Sequence, residues 1–141
     1  MKTMRVNNQF LLLIGASLLT VIWAVNYTPS PEFPGVRHLT PVEAMALIET
    51  GRALILDVRE KDAFDKEYLA GAISVPIGEL DNRIDEFESY KAEDVVIYCN
   101  DGSTRGPRAT DKMNKAGYAN AKNIDGGIEG WRTAKLVTVK P

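Results

Sequence analysis

One cysteine and one arginine frame the chemistry open to this chain. Cys99 is the sole cysteine of its 141 residues, and Arg105 follows it after Asn100-Asp101-Gly102-Ser103-Thr104. The thiol closes the run Val95-Val96-Ile97-Tyr98, which is too short and too β-branched for a helix and reads as a buried strand. Beyond the loop, Arg105-Gly106-Pro107 open a segment of helical pattern. A thiol between a strand end and a helix N-terminus lies where backbone N–H groups and the helix dipole favour negative charge. It is therefore expected to be held as a thiolate nucleophile, with anions stabilised beside it.

The bulk composition narrows the field. The length suits one domain with a core sufficient to fold alone. A composition of 45% apolar and 26% charged residues is that of a globular protein, and a formal charge of −2 points to no nucleic-acid partner. A single cysteine excludes an internal disulfide framework, and one cysteine with one histidine, His38, points to no metal site. A Cys–His dyad would have to recruit His38 from the start of the folded region. A helix N-terminus can depress a thiol pKa without a base, so His38 is read as a strand or surface residue.

The elements that must position Cys99 alternate between strand and helix. Val36 to Leu39 reads as a strand. Thr40-Pro41-Val42-Glu43 carries an N-cap, a proline at the first helical position and a capping-box glutamate, starting a helix that Gly51 ends. Ala53 to Asp57 reads as a buried parallel strand, Arg59 to Tyr68 as a short helix with Phe64 inward, and Ile73 to Val75 as a strand stopped by Pro76. Glu79 to Tyr90 is expected to be helical, with Leu80, Ile84 and Phe87 on one face. After the cysteine loop come a helix to Ala116 ended by Gly117, a strand over Ala121 to Ile124, a turn at Asp125-Gly126-Gly127 and a last helix around Trp131. This order predicts an α/β fold, an open and mostly parallel sheet with helices on both faces and a ligand at the carboxyl ends of the strands. Cys99 and Asp57 both fall on that rim.

The N-terminus has a different character. Lys2 and Arg5 precede Phe10 to Val25, an unbroken uncharged run. As a helix this run spans about 24 Å at ~1.5 Å per residue, against a hydrocarbon core of roughly 30 Å. A basic start followed by an apolar run is an export pattern, so residues 1–25 are read as an N-terminal hydrophobic helix, a signal anchor or signal peptide. Residues 26–35, with Pro29, Pro31 and Pro34, read as a semi-rigid linker, and residues 36–141 as the folded domain. The cations before the run leave the N-terminus in the cytoplasm and send the domain across. In a bacterium that means an inner-membrane protein with its domain in the periplasm, or a protein secreted there.

Three segments together resemble the rhodanese family of single-domain sulfurtransferases. The first is Leu56-Asp57-Val58-Arg59-Glu60, then Phe64, then Leu69-Ala70-Gly71-Ala72-Ile73-Ser74-Val75-Pro76. The second is Tyr98-Cys99 with its loop to Arg105, and the third is Gly126-Gly127-Ile128-Glu129-Gly130-Trp131. The resemblance implies a rhodanese-like sheet and no cofactor. It implies a Cys99 that takes sulfane sulfur from a small anionic donor such as thiosulfate, becomes a persulfide and passes the sulfur to a thiol or cyanide. It also implies that Asn100, Asp101, Gly102, Ser103 and Thr104 cradle the substrate while Arg105 holds the anion, for which a guanidinium fork is suited. Arg105 has a competing use in an ion pair, with Asp101 for instance. Asp57 and Arg59 are read as structural and Trp131 as core or pocket wall.

Two features depart from the family's pattern. Its loop has four residues between cysteine and arginine, whereas five stand here, the spacing of dual-specificity phosphatases and arsenate reductases. Tyr98 stands where a phosphatase usually has histidine. The second departure is Asp101. An inward carboxylate would oppose a dianionic substrate by roughly 4 kcal/mol at 4 Å and an effective dielectric near 20. Either it points outward or the donor is less charged than thiosulfate or phosphate. A cysteine phosphatase or arsenate reductase and a non-catalytic rhodanese-like binding module stay open beside the sulfurtransferase, and oligomeric state is unassigned.

Overall fold

A computed structural model describes residues 32–141, so the hydrophobic run over 1–25 and most of the 26–35 segment lie outside the described residues. Among the described residues no helix is long and apolar enough to cross a membrane. Five strands form one sheet: β1 (Arg37–Leu39), β2 (Leu54–Asp57), β3 (Ile73–Ser74), β4 (Val95–Tyr98) and β5 (Ala121–Ile124). Their order is β1-β5-β4-β2-β3 and every pairing is parallel. Parallel neighbours require crossovers. These carry α1 (Pro41–Glu49), α2 (Lys61–Phe64), α3 (Leu80–Arg83) running into a 3-10 segment (Ile84–Tyr90), and α4 (Arg105–Lys115); α5 (Gly127–Thr133) follows β5.

The period of two along each strand sorts the core into two layers. Leu54, Leu56, Val95, Ile97 and Cys99 face Leu80, Phe87, Ala109, Met113 and Tyr118 on one side of the sheet. Ile55, Val96, Tyr98 and Ile124 face Ala44, Leu69, Ile128 and Trp131 on the other. Helices therefore cover both faces, and β2, β4 and β5 are buried throughout, which is why β4 and most of β2 run apolar instead of alternating, while β5 carries the buried polar residues Lys122 and Asn123. Cys99 continues the Val95–Ile97 side and so lands beside α4.

Helix boundaries follow local chemistry where that chemistry acts alone. At α1 the Thr40 hydroxyl accepts from the Glu43 N–H at 3.3 Å while Glu43 Oε2 accepts from the Thr40 N–H at 2.8 Å, a complete capping box. Such a cap is worth about 1 kcal/mol. Gly51, at φ 72°, ends the helix as anticipated.

Two expected helices come out shorter, each because a side chain claims a backbone carbonyl. The Arg59–Tyr68 helix contracts to Lys61–Phe64, since the Arg59 guanidinium is folded back onto Asp57 and its Nη2 donates to the carbonyl of Glu67 at 2.6 Å. Phe64, half-buried, stacks on Tyr68 at 4.5 Å between ring centroids. The Glu79–Tyr90 helix splits after Arg83, where the Tyr118 hydroxyl donates to the Ile84 carbonyl at 2.6 Å and takes it from the helical ladder. The apolar face survives the change: Leu80 and Phe87 are buried and Ile84 packs against them. The tail, for which sequence pattern suggests no form, folds back on α2's exit. Tyr68 and Val139 pair as an antiparallel bridge, and Trp131 Nε1–H donates to the Val137 carbonyl at 3.0 Å.

Candidate functional site

Cys99 sits at the carboxyl end of β4, the middle strand, and is 1% exposed. The loop from Asn100 to Thr104 rises from it and enters α4 at Arg105. In the first turn of α4 the N–H groups of Arg105 and Gly106 have no intrahelical acceptor, and Pro107 has no N–H. That turn stands beside the thiol, where a Cβ on Gly106 would lie 3.4 Å from Cys99 Sγ.

Three backbone contacts seat the loop. The N–H groups of Ile128 and Glu129, at the start of α5, donate to the carbonyls of Cys99 and Asn100 at 3.0 Å each. Gly127 permits this approach: a Cβ there would lie 2.4 Å from the Cys99 carbonyl oxygen, and its φ of 54° is in the left-handed region. Gly102 makes the reciprocal fit from the loop, at φ 71°, where a Cβ would lie 2.6 Å from the Ile124 carbonyl oxygen. The third contact is polar. Asn123 Nδ2–H, on β5, donates to the Gly102 carbonyl at 3.1 Å within the buried interior.

His38 stands behind this contact, not at the thiol. Its Nδ1 lies 2.9 Å from Asp125 Oδ1 and 3.2 Å from Asn123 Nδ2. In the shorter contact Nδ1–H donates to the carboxylate, which leaves the Asn123 amide for Gly102. Asn123 Oδ1 is buried without a partner and is turned to α4, where a Cβ on Gly106 would meet it at 2.1 Å and the Cys99 sulfur at 3.4 Å.

The carboxylate of Asp101 faces the sulfur. Its Oδ1 lies 3.9 Å from Cys99 Sγ, with the thiol as donor. The same oxygen accepts from the Ser103 N–H at 3.0 Å and the Ser103 hydroxyl at 2.8 Å. Those Ser103 bonds, backbone first, hold the Asp101 carboxyl below the usual carboxylate range, and the Arg105 charge adds to the effect. Asp101 stays exposed but sets one carboxylate oxygen toward the sulfur, so the cradle is not uniformly electropositive. Arg105 does not use Asp101 as its ion-pair partner: its Nη1 is 3.8 Å from Glu60 Oε1, and its side chain is 37% exposed.

The residues expected to form the site are brought together, with different aspects. Asp101, Ser103 and Thr104 are exposed, Asn100 and Arg105 half-exposed, and Gly102 buried against β5. Asp57 has no open face on the rim. It is 0% exposed and receives both the backbone and the guanidinium N–H groups of Arg59, at 3.0 Å and 2.6 Å, a structural pairing as read. Tyr98 points to the opposite layer and accepts the Leu69 N–H at 3.1 Å, its phenol pushed well above its ordinary range by burial and then by the Asp57 charge. Trp131 is core, 3% exposed. Sequence reasoning missed Asn123, Gly106 and the α5 N–H groups. An amide within a short buried strand was the available signal for Asn123; nothing local marked what the glycines would abut.

Fold and site together define a class, a parallel α/β domain built around a cysteine-bearing strand-to-helix loop. Residues 40–134 match the family model of the rhodanese-like domain, and the chain belongs to that family, which includes sulfurtransferases. It is similar to the uncharacterized protein YibN of Escherichia coli, 29% identical over 106 residues that cover 74% of this chain and 73% of that one. It is likewise similar to the human thiosulfate:glutathione sulfurtransferase, 30% identical over 101 residues, 63% of this chain and 87% of the other. Among solved structures it resembles the thiosulfate sulfurtransferase of Pseudomonas aeruginosa, with a TM-score of 0.67 and 30% identity. That match covers 74% of this chain and only 20% of the larger protein.

Proposed function

We propose that this protein is a sulfurtransferase that moves sulfane sulfur from a donor of the thiosulfate type to a thiol or cyanide through a persulfide on Cys99. The observation that carries the reading is a lone thiol, 1% exposed, at the mouth of a loop whose carbonyls are claimed by α5 while the first donors of α4 are left free. In the first half-reaction the Cys99 thiolate, its proton lost to solvent, attacks the outer sulfur of the donor. A bond forms between Sγ and that sulfur, the donor's own S–S bond breaks, and the leaving group (sulfite, from thiosulfate) departs with the electron pair. The terminal persulfide sulfur carries the charge and is stabilised by the Arg105 and Gly106 N–H groups, while Arg105 holds an anionic donor at the half-open mouth. In the second half-reaction an acceptor thiolate or cyanide attacks the terminal sulfur and the Sγ electron pair returns to Cys99. No general base is required, in keeping with His38 Nδ1–H being bonded to Asp125.

Incubating the full chain with sulfane donors and weighing it intact tests the reading. Gain of one sulfur atom, absent in Cys99→Ser and released by a thiol, supports it; no gain with any donor removes it. The five-residue spacing from Cys99 to Arg105 favours a second reading, a cysteine phosphatase or arsenate reductase, for which aryl-phosphate turnover dependent on Cys99 is the test. The Asp101 carboxylate at 3.9 Å from the sulfur opposes dianions of both kinds, phosphate and thiosulfate.

The basic start and uncharged run of residues 1–25 support placing the domain on the periplasmic side of an inner membrane, tethered or released. Protease accessibility of the domain in spheroplasts but not in intact cells tests that placement.

A further inference from the structure

His38, the sole histidine of the chain, has no role in the steps above, yet one of its atoms faces both supports of the cysteine loop. It stands on β1 as the register partner of Asn123 on β5, which is why ring and amide meet. Its Nδ1 lies 2.9 Å from Asp125 Oδ1 and 3.2 Å from Asn123 Nδ2. The amide is the first support, since it holds the Gly102 carbonyl. The second is the turn Asp125-Gly126-Gly127, after which the Ile128 and Glu129 N–H groups reach the Cys99 and Asn100 carbonyls. Gly126 and Gly127 stand at φ 71° and 54°, a permissive backbone with no side chain to fix it. Asp125 carries the side chain of that turn, and His38 holds it.

The proton on the ring decides what each support receives. With hydrogen on Nδ1, the ring donates to the Asp125 carboxylate and accepts nothing from the amide, which is left to Gly102. With Nδ1 bare, a lone pair would face the carboxylate and draw the Asn123 N–H toward the ring. The carboxylate therefore selects the first tautomer. The far side of the ring agrees, because Nε2 is buried without a partner and as N–H would be a donor left unmade.

We infer that His38 is a positioning residue of the site: through Nδ1–H it fixes Asp125, leaves Asn123 to Gly102, and so sets the loop that carries Cys99. It does not touch the sulfur. The inference takes Cys99 as the reacting thiol of the sulfur-transfer reading, and its first readout is independent of that chemistry.

The test compares replacements that each keep one ring nitrogen. His38→Asn puts an amide N–H where Nδ1–H stands, His38→Gln puts one where Nε2 stands, and His38→Ala keeps neither. Hydrogen exchange at the Ile128 and Glu129 amides of the full chain reads the seat of the loop. The Val58 amide, which donates to the Tyr98 carbonyl at 3.0 Å, serves as reference for the sheet. Relative to Val58, exchange at both amides is expected to quicken about threefold to tenfold in His38→Ala and His38→Gln, the equivalent of one hydrogen bond. Sulfur loading on Cys99 from thiosulfate is expected to slow by a similar factor. His38→Asn should restore both. Asp125→Ala should match His38→Ala, with the double variant no worse than either. Nitrogen NMR of the lone imidazole should show hydrogen on Nδ1 in the native chain.

His38→Asn behaving like His38→Gln, additive effects of His38→Ala and Asp125→Ala, or hydrogen on Nε2 in the native chain each overturn the inference. So does loading at the native rate in His38→Ala. Absence of loading in the native chain removes the sulfur-transfer reading instead, and the inference is then decided by the two amides and the imidazole.

Discussion

Asn123, on β5, holds Gly102, in the loop between β4 and α4, through an amide N–H to carbonyl bond of 3.1 Å. Two segments far apart in the chain are joined there, directly behind the cysteine. The bond orients the loop together with the Ile128 and Glu129 N–H groups, which hold the Cys99 and Asn100 carbonyls. Removing the donor in Asn123→Ala leaves the Gly102 carbonyl buried and unpaired, at a cost of about 1–3 kcal/mol. We expect a lowered denaturation midpoint. Sulfur loading on Cys99 should also slow under conditions where the variant is fully folded; native-rate loading would show that the bond has no part in shaping the loop.

Gly106 is the glycine that lies between the Asn123 amide and the sulfur. A methyl group there would meet Asn123 Oδ1 at 2.1 Å and Cys99 Sγ at 3.4 Å. Gly106→Ala is expected to displace the amide and cover the thiol. An overpacked site of this kind costs about 1–3 kcal/mol, and alkylation of Cys99 by iodoacetamide should slow. Unchanged alkylation with unchanged stability would mean the amide can move aside freely.

The Asp57–Arg59 pair is buried, at 0% and 3% exposure, and closes the loop that replaces the expected helix. Removing one charge strands the other, which costs about 3–5 kcal/mol for a buried pair. Asp57→Ala is accordingly expected to unfold at much lower urea than the native chain. Replacing both residues together with apolar ones of similar size should recover a good part of the loss, a pattern that a double-mutant cycle in urea resolves.

Acidification should release the C-terminal tail before the core. The Glu67 carboxyl is held below its ordinary value first by the Thr138 hydroxyl, which donates to it at 2.7 Å, with the Arg132 and Lys140 charges adding and burial opposing. A lowered carboxylate pKa means that the folded chain favours the ionised form. Its contribution is thus present above the unfolded-state value, ~4.3 for glutamate, and is lost as pH falls through the lowered folded value. The partners of Glu67 that lower its pKa most, Thr138, Arg132 and Lys140, lie in the tail and at the end of α5, so the effect is local. Hydrogen exchange at the Val139 amide, which donates to Tyr68 at 2.8 Å, is expected to lose protection in that acid range. Glu67→Gln should show the lower protection already at neutral pH.

Residue order and spacing alone carried much of this architecture. Alternating apolar strands and amphipathic segments required a parallel sheet covered on both faces, and Thr40, Pro41 and Glu43 placed a helix start to the residue. Each of these signals is local: a cap, a period or a turn glycine acts within a few positions. Cys99 was legible for the same reason, since a strand end, a loop and a helix start are consecutive in the chain.

What only the structure decided are the contacts that no local period or cap specifies. Arg59 reaching Glu67's carbonyl and Tyr118 reaching Ile84's shortened two helices whose own patterns were sound, because a buried carbonyl bonds whichever donor the fold delivers. The direction of Asp101 was open in the sequence, where an aspartate in a loop can face either way; the Ser103 bonds turned it to the sulfur. The seat of the loop, made by Asn123, Gly127 and the first N–H groups of α5, depends on β5 lying beside β4, and strand neighbours are set by packing the whole sheet. The nucleophile was thus determined by consecutive residues, and the seat of its loop by the fold.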